Sequence, residues 1–534
     1  MRRIAAVGLC ALGLFSSRGS AQSDWKKGGT CYEVFVRSFY DSDGDGIGDL
    51  KGLIQKLDYI NDGTASGQHS LGARCIWLMP VAESPSYHGY DVTNYYRVEP
   101  DYGTNADFKQ LVAEAHRRGI KVLVDLVLNH MSSEHPFFQD ALRNPSSPYR
   151  SWFRWSPTKR VEKNWGQPVW HRSPVRDEYY YGLFWGGMPD LNYETKAVRD
   201  EAKKVARFWL KDMGVDGFRL DAVPYLVEEG DQLTHTRGTH AVLREFEAAV
   251  RTVAPKAFTI GEVTYPTDVM LSYYPDQLDA YFAFEIADSI IAAVQKESAK
   301  GLFSPVLRLQ RALPAERWSP FLRNHDQTRT MTELGDSFPR ARVAATILLT
   351  LPGIPFVYYG EEIGMTGAKP DPRLRTPMHW NHGASAGFTR STPWETLDPD
   401  SLTANVASED DDRTSLLNHY RRLIHLRANK YALGSGELIP LEAGSDAVAA
   451  YARRSRDRVV LVVANLGAAS LRALTINSRE RLLPPGVYTV KDLLGTATAA
   501  PLRVGADGRI NRYAPLTSIP AMESYVFELT RRKP

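Results

Sequence analysis

Eight short apolar runs recur between residues 31 and 359 of this chain. They lie at 31–39, 74–80, 121–128, 217–221, 258–263, 278–284, 321–324 and 354–359. Each is rich in β-branched or aromatic residues, as strands are. Amphipathic segments separate them. In 105–118, Phe108, Leu111, Val112 and Ala115 share one helical face and Gly119 ends the pattern, and 194–213 repeats it. Eight strands alternating with helices predict an α/β fold, a (β/α)8 TIM barrel.

One connection breaks the rhythm. Between His130 and Met188 the spacing far exceeds an ordinary strand-to-helix loop, and it carries Trp152, Trp155, Trp165, Trp170 and Trp185 among polar residues. An inserted domain B after strand 3, residues 131–188, is expected. After Gly436 the pattern becomes β-branched or alternating, with turns at Asp507-Gly508 and 484–486. This predicts a C-terminal antiparallel β-sandwich domain C over 437–534. The barrel then comprises 22–130 and 189–436.

The first 21 residues read as a signal peptide. Arg2 and Arg3 precede an apolar run, 4–15, too short to span a bilayer, and Gly19-Ser20-Ala21 supplies small residues for cleavage. The chain is therefore expected to be secreted or periplasmic, with no membrane association after removal of the signal. Arg2, Arg3 and Arg18 account for the whole formal charge of +3, so the mature chain is neutral. A neutral chain has no electrostatic footprint for nucleic acid or anionic membrane. Cys10 leaves with the signal. Cys31 and Cys75 remain, either as a disulfide or as two buried thiols. A monomer is expected.

Active sites of such barrels sit at the C-terminal ends of the strands, so the polar residues that end each run carry the chemistry. The third run leads to Asp125-Leu-Val-Leu-Asn129-His130, the fourth to Arg219-Leu-Asp221, the fifth to Gly261-Glu262 and the seventh to Asn324-His325-Asp326. Four strands thus deliver carboxylates, His and Arg to one rim. Cleaving a glycosidic bond needs a proton donor and a second carboxylate at the anomeric carbon, closer together in retaining enzymes than in inverting ones. Asp221 and Glu262 end adjacent strands, which favours a retaining pair. Arg219, two residues before Asp221, shares its strand face and favours a charged nucleophile. The acid/base needs the opposite treatment.

At these residues the sequence resembles glycoside hydrolase family 13, the α-amylase family, over roughly residues 30–530. Asp125-Leu-Val-Leu-Asn-His130, Gly217-Phe-Arg-Leu-Asp221, Gly261-Glu-Val263 and Phe321-Leu-Arg-Asn-His-Asp326 resemble its four motifs in order, and Met188-Pro-Asp-Leu-Asn192 an extra one. The resemblance implies Asp221 as nucleophile, Glu262 as general acid/base and Asp326 as the third catalytic carboxylate. It implies sugar contacts from His88, Tyr90, His130, Arg219, His325 and Arg375, and an α-glucan substrate. Pro224 and Tyr225 stand where many amylases carry Lys-His. Asp221-Ala-Val-Pro-Tyr225 is closer to trehalose synthases and some glucosidases, and Arg375-Thr-Pro-Met-His-Trp380 resembles a glucosidase-branch loop. Tyr87 stands where the glucosidase branch carries an acid. The pattern is intermediate between the amylase and oligo-1,6-glucosidase branches. An α-amylase is expected, with an α-glucosidase or trehalose-synthase-like transglycosylase as alternatives. An inactive sugar-binding or transporter-associated relative is disfavoured, because the three carboxylates are present.

A metal loop follows the first run. Asp41, Asp43, Asp45 and Asp49 alternate with small residues, and Ile47 offers its carbonyl between them. Hard cations want several oxygens around one point, so a structural Ca2+ is expected. Gly52 at the twelfth position, where an EF-hand carries a bidentate Glu, argues against that motif.

Overall fold

The computed structural model describes residues 24–64, 69–456, 458–495 and 497–532. The predicted signal segment, 1–21, lies outside the described residues. The central sheet contains eight parallel strands: β1 (Cys31–Val34), β2 (Cys75–Leu78), β3 (Lys121–Leu126), β4 (Gly217–Leu220), β5 (Phe258–Gly261), β6 (Ala280–Phe282), β7 (Trp318–Ser319) and β8 (Phe356–Tyr358). They follow one another round the sheet, and β8 pairs with β1. Two further bonds, Ile354 N to Trp318 O (3.0 Å) and Phe356 N to Pro320 O (2.9 Å), join β7 to the entry of β8 and close the barrel.

Strand pleating sorts the side chains. Cys31, Cys75, Trp77, Leu123, Phe258, Ile260, Ala280, Phe282 and Phe356 cluster inside the barrel. Their neighbours Tyr32, Val34, Ile76, Leu78, Val122, Val124, Phe218 and Leu220 join the larger core under the helices. Cys31 and Cys75 are registered partners on β1 and β2 and form a disulfide inside the barrel. That resolves the two readings the sequence allows.

The expected helix at 105–118 is Asn105–Arg117. Thr104 and Asp107 form a reciprocal capping box at its start, and Phe108, Leu111, Val112 and Ala115 are its buried face. The 194–213 segment is helical over Lys196–Arg207 and ends in a wider π turn, Phe208–Met213.

Two strand expectations need correction. The run 31–39 is a strand only to Val34 and then coils into the short helix Val36–Phe39. The seventh strand is Trp318–Ser319, not 321–324. Pro320 has no N–H to continue the ladder, and Phe321 is buried for another reason, packing edge-on against Phe282 and Phe284.

Within 131–188, Trp155–Ser156, Trp170–Arg172 and Tyr179–Tyr181 form a small three-stranded sheet. Asn129 donates to Asp190 (3.0 Å), tying the end of this insertion to the strand it follows. Beyond residue 436 lies a six-stranded antiparallel sheet of β9 (Glu437–Pro440), β10 (Val448–Ser455), β11 (Arg458–Asn465), β12 (Gly486–Asp492), β13 (Leu502–Val504) and β14 (Ser524–Arg531). Its inner face packs on Leu474, Ile476, Ile510 and Ile519, of which Ile476 and Ile519 belong to short antiparallel ladders. The helix Phe338–Thr350 is buried over most of its surface. It is pinned between barrel and C-terminal sheet, with Thr346 Oγ1 2.8 Å from Ser524 Oγ. No helix among the described residues is long and apolar enough to cross a membrane.

Candidate active site

The polar end of the barrel is organised around one buried cation. Arg219, 1% exposed, points inward from β4. Its Nη1 lies 2.9 and 3.0 Å from the two oxygens of Asp125 and 2.5 Å from Asp221 Oδ1, and its Nη2 lies 2.8 Å from Glu262 Oε2. The sheet register explains the convergence. Arg219 sits opposite Asp125 on β3, and Leu220 opposite Gly261 on β5, so Asp221 and Glu262 leave neighbouring strands at the same level. A planar guanidinium, with five donors in a fixed fork, suits three carboxylates placed in this way.

The two catalytic candidates differ in environment. Burial pushes the Glu262 carboxyl up to about 7, with Asp221 and Asp326 adding to the effect and Arg219 opposing it. A carboxyl poised there can give and retake a proton near neutral pH. Asp221 keeps the direct guanidinium contact. Between them Ala222 adopts a left-handed backbone, φ 48°, and donates its N–H to Glu262 Oε2 at 3.2 Å. Such strain in a non-glycine residue belongs to sites where geometry is enforced by the surroundings.

The opposite wall is a hydrogen-bonded relay. Tyr90 Oη lies 3.0 Å from Asp125 Oδ2 and 2.6 Å from His325 Nε2, and its ring stacks on His325 at 5.6 Å. His325 Nε2 is also 3.1 Å from Asp326 Oδ2, and its Nδ1 is 2.6 Å from Glu33 Oε1. Arg375 donates from Nη2 to Asp326 Oδ1 (2.8 Å) and from Nε to the His325 carbonyl (3.0 Å). Burial would raise Asp326, but His325 and Arg375 outweigh it and hold that carboxyl far below its usual range. His130 Nε2 sits 3.1 Å from the Tyr90 carbonyl, and His88 Nδ1 3.0 Å from Ser86 Oγ. Burial lowers both histidines, leaving neutral rings able to share hydrogen bonds with hydroxyls.

The structure brings the predicted residues together. Asp221, Glu262, Asp326, His88, Tyr90, His130 and Arg375 line one cleft of about 470 Å3, and Arg219 and His325 stand directly behind it. Sequence reasoning missed part of the lining. Trp165, Phe184 and Trp185 from the insertion, with Tyr225, Thr264 and Asp371, complete the cleft. Trp165 and Trp185 are 63% and 55% exposed, large values for tryptophan. Glu33 was also missed. Its only sequence signal is a carboxylate at an inward position of an otherwise apolar strand.

The acidic loop after β1 folds on itself. Asp41, Asp43 and Asp49 bring carboxylate oxygens within 4.8 Å of one another, a set suited to a hard divalent cation. Asp45 is not in that group; its Oδ1 accepts from Ile47 N at 2.7 Å. Gly44 and Gly46, at φ 91° and 98°, allow the turn. Asp41 accepts from both of their amides, and Thr389 Oγ1 donates to it from the facing segment.

A parallel barrel whose strand ends converge paired carboxylates on one guanidinium, beside an aromatic-lined cleft, defines a glycosyl-cleaving or glycosyl-transferring enzyme. The chain belongs to the α-amylase family, whose catalytic-domain model matches residues 33–436. It is 40% identical over 450 residues to alpha-amylase 3 of Dictyoglomus thermophilum, covering 83% of this chain and 85% of that one. It is 33% identical over 572 residues to the trehalose synthase/amylase TreS of Mycolicibacterium smegmatis, covering 96% and 94%. The crystal structure of the alpha-amylase from H. orenii superposes with a TM-score of 0.83 at 39% identity, over 94% of this chain and all of that one.

Proposed function

We propose that this protein is a retaining α-amylase that hydrolyses α-1,4-glucosidic bonds in starch, glycogen or maltooligosaccharides. Asp221 attacks the anomeric carbon and Glu262 protonates the departing oxygen, giving a covalent glycosyl-enzyme; Glu262 then takes a proton from water, which releases the sugar. Asp326 binds hydroxyls of the sugar being cleaved, with His88, His130 and His325 as further partners and Tyr90 beneath the ring. Attachment of Asp221 and Glu262 to the two ends of one guanidinium is the observation that carries this reading, because it favours the short spacing of a retaining pair. The exposed tryptophans on the rim favour a chain of several sugars over a disaccharide.

A second reading, α-glucosidase or trehalose-forming transglycosylase, draws on Pro224 and Tyr225 and on the likeness to TreS. The products separate the two. Mixed maltooligosaccharides released early from soluble starch support the amylase. Glucose alone from maltose supports a glucosidase, and trehalose from maltose an isomerising enzyme. No release of any sugar from either substrate overturns both and returns a non-catalytic sugar binder.

Asp41, Asp43 and Asp49 are proposed to hold a structural Ca2+, with Ile47 contributing its carbonyl. Asp45 would join only by turning away from the Ile47 amide. Export is proposed from the N-terminal segment, and the Cys31–Cys75 disulfide supports an oxidising destination. A monomer is the proposed state.

A further inference from the structure

The relay behind Asp326 ends on a carboxylate that the reaction scheme does not use. Glu33 is 2% exposed and points into the barrel from β1, with Oε1 2.6 Å from His325 Nδ1. On the other side of the ring, His325 Nε2 faces Asp326 Oδ2 at 3.1 Å and Tyr90 Oη at 2.6 Å. Ionised carboxylates only accept hydrogen bonds. A ring with one carboxylate on each nitrogen satisfies both only by donating from both, that is, as an imidazolium. The tyrosine is consistent with this: its hydroxyl donates to Asp125 Oδ2, which leaves its oxygen free to accept a share of the His325 Nε2–H that also faces Asp326.

We infer that Glu33 is a positioning residue for the reaction, holding His325 doubly protonated so that His325 in turn fixes Asp326 at the cleavage site. This rests on the reading of Asp221, Glu262 and Asp326 as the reacting set. Without the Glu33 charge, a buried imidazole would lose its second proton readily, since burial penalises the charged ring. A neutral ring could no longer serve Glu33 and Asp326 at once. The groups around His325 are Glu33 from β1, Tyr90 from the loop after β2, Asp125 from β3, Asp326 beside it, and Arg375 on its carbonyl and on Asp326. Trp77 meets the ring edge-on at 5.6 Å. Arg219 approaches the other face of this network at the Tyr90 ring, 6.0 Å from its centroid, and disfavours the imidazolium. Burial disfavours it most, yet Asp326 and Glu33 together raise His325 to about 9.

The test is Glu33→Gln, which keeps the shape and an oxygen able to accept from Nδ1. The His325 imidazole is followed by nitrogen NMR, with its signal assigned by loss in His325→Asn. In the wild type it stays doubly protonated through about pH 7, and in Glu33→Gln its midpoint falls by about one unit or more. The ratio of variant to wild-type kcat on maltoheptaose then drops as pH rises, to about half or less at about pH 8. Glu33→Asp, which restores the charge on a shorter arm, recovers part of both. An unchanged midpoint, or a variant matching an active wild type across this range, overturns the inference and leaves the reaction scheme standing. A wild type inert on every α-glucoside overturns the scheme, and with it the role given to Glu33. Glu33→Gln and Glu33→Asp failing alike, with the NMR midpoint unmoved, assigns Glu33 to packing alone.

Discussion

Arg219 Nη2 lies 2.8 Å from Glu262 Oε2, yet Glu262 remains a carboxyl poised near neutrality. One guanidinium shared with Asp125 and Asp221 does not offset the burial of a third carboxylate. The consequence is a pH profile. Below about 7 Glu262 carries the proton that the proposed reaction gives to the leaving oxygen; above it that proton is gone. Activity on starch is therefore expected to fall as pH rises through about 7. Glu262→Gln should lose about 100-fold to 10,000-fold in kcat with the fold intact. Near-normal turnover by that variant, checked by reducing-sugar release and circular dichroism, would remove Glu262 from the mechanism.

The disulfide should matter to stability and little to chemistry. Cys31 and Cys75 close a 44-residue separation and lie among Leu123, Phe258 and Phe356 in the barrel interior. Loop-closure entropy for such a span is worth about 4 kcal/mol. The double variant Cys31→Ala/Cys75→Ala is expected to unfold at clearly lower guanidinium while keeping kcat at low temperature. An unchanged midpoint would show that the bond adds nothing to the packed interior.

The barrel could be read from the sequence because its strands are buried on both faces and so appear as continuous apolar runs. The same signal misplaced β7. Phe321 and Leu322 are as buried as any strand residue, but burial does not reveal where Pro320 ends the ladder. The carboxylates that converge on the cleft were legible because each follows an apolar run. Glu33 was not, because its partner His325 is 292 residues away and a lone carboxylate in a strand names no partner. Trp165 and Trp185 were visible only as members of a tryptophan-rich insertion. Which of its five tryptophans face the cleft depends on how the insertion folds: Trp152 is buried and packs on Phe137 and Tyr149, whereas Trp165 stays open.

The acidic loop gives a test of ion binding separate from catalysis. Asp43 is exposed and, within the loop, accepts one long bond from Asp45 N (3.2 Å), so Asp43→Asn perturbs little besides an ion site. Ca2+ at about 100 times its dissociation constant should stabilise the protein by about 2.7 kcal/mol. The thermal midpoint is expected to fall on EDTA treatment and to recover with Ca2+, and Asp43→Asn should blunt both responses. A midpoint indifferent to EDTA, with no metal found by elemental analysis, would leave the loop as a self-satisfied acidic turn held by Gly44, Gly46 and Thr389.

The rim tryptophans make the choice between chain-cutting and disaccharide chemistry measurable at a named residue. Trp165 packs against Phe184 (5.6 Å) and Tyr225 (5.8 Å), so one edge of its ring is supported while most of its surface remains open to the cleft. Trp165 lines the same cleft as Asp221 and Glu262, and the proposed long-chain substrate would lay a further sugar ring on that open face. If a sugar gains on this face what a paired aromatic ring gains, about 0.5–1.5 kcal/mol, the effect corresponds to roughly 2- to 12-fold in kcat/KM. Trp165→Ala is expected to lose that factor on maltoheptaose and soluble starch while leaving an aryl α-glucoside nearly unaffected, because the smaller substrate does not reach the platform. Equal losses on both would place the effect of Trp165 on the catalytic residues themselves. No loss on either would remove the open tryptophan from the grounds for a long-chain substrate and shift the weight to Pro224, Tyr225 and the disaccharide-converting reading.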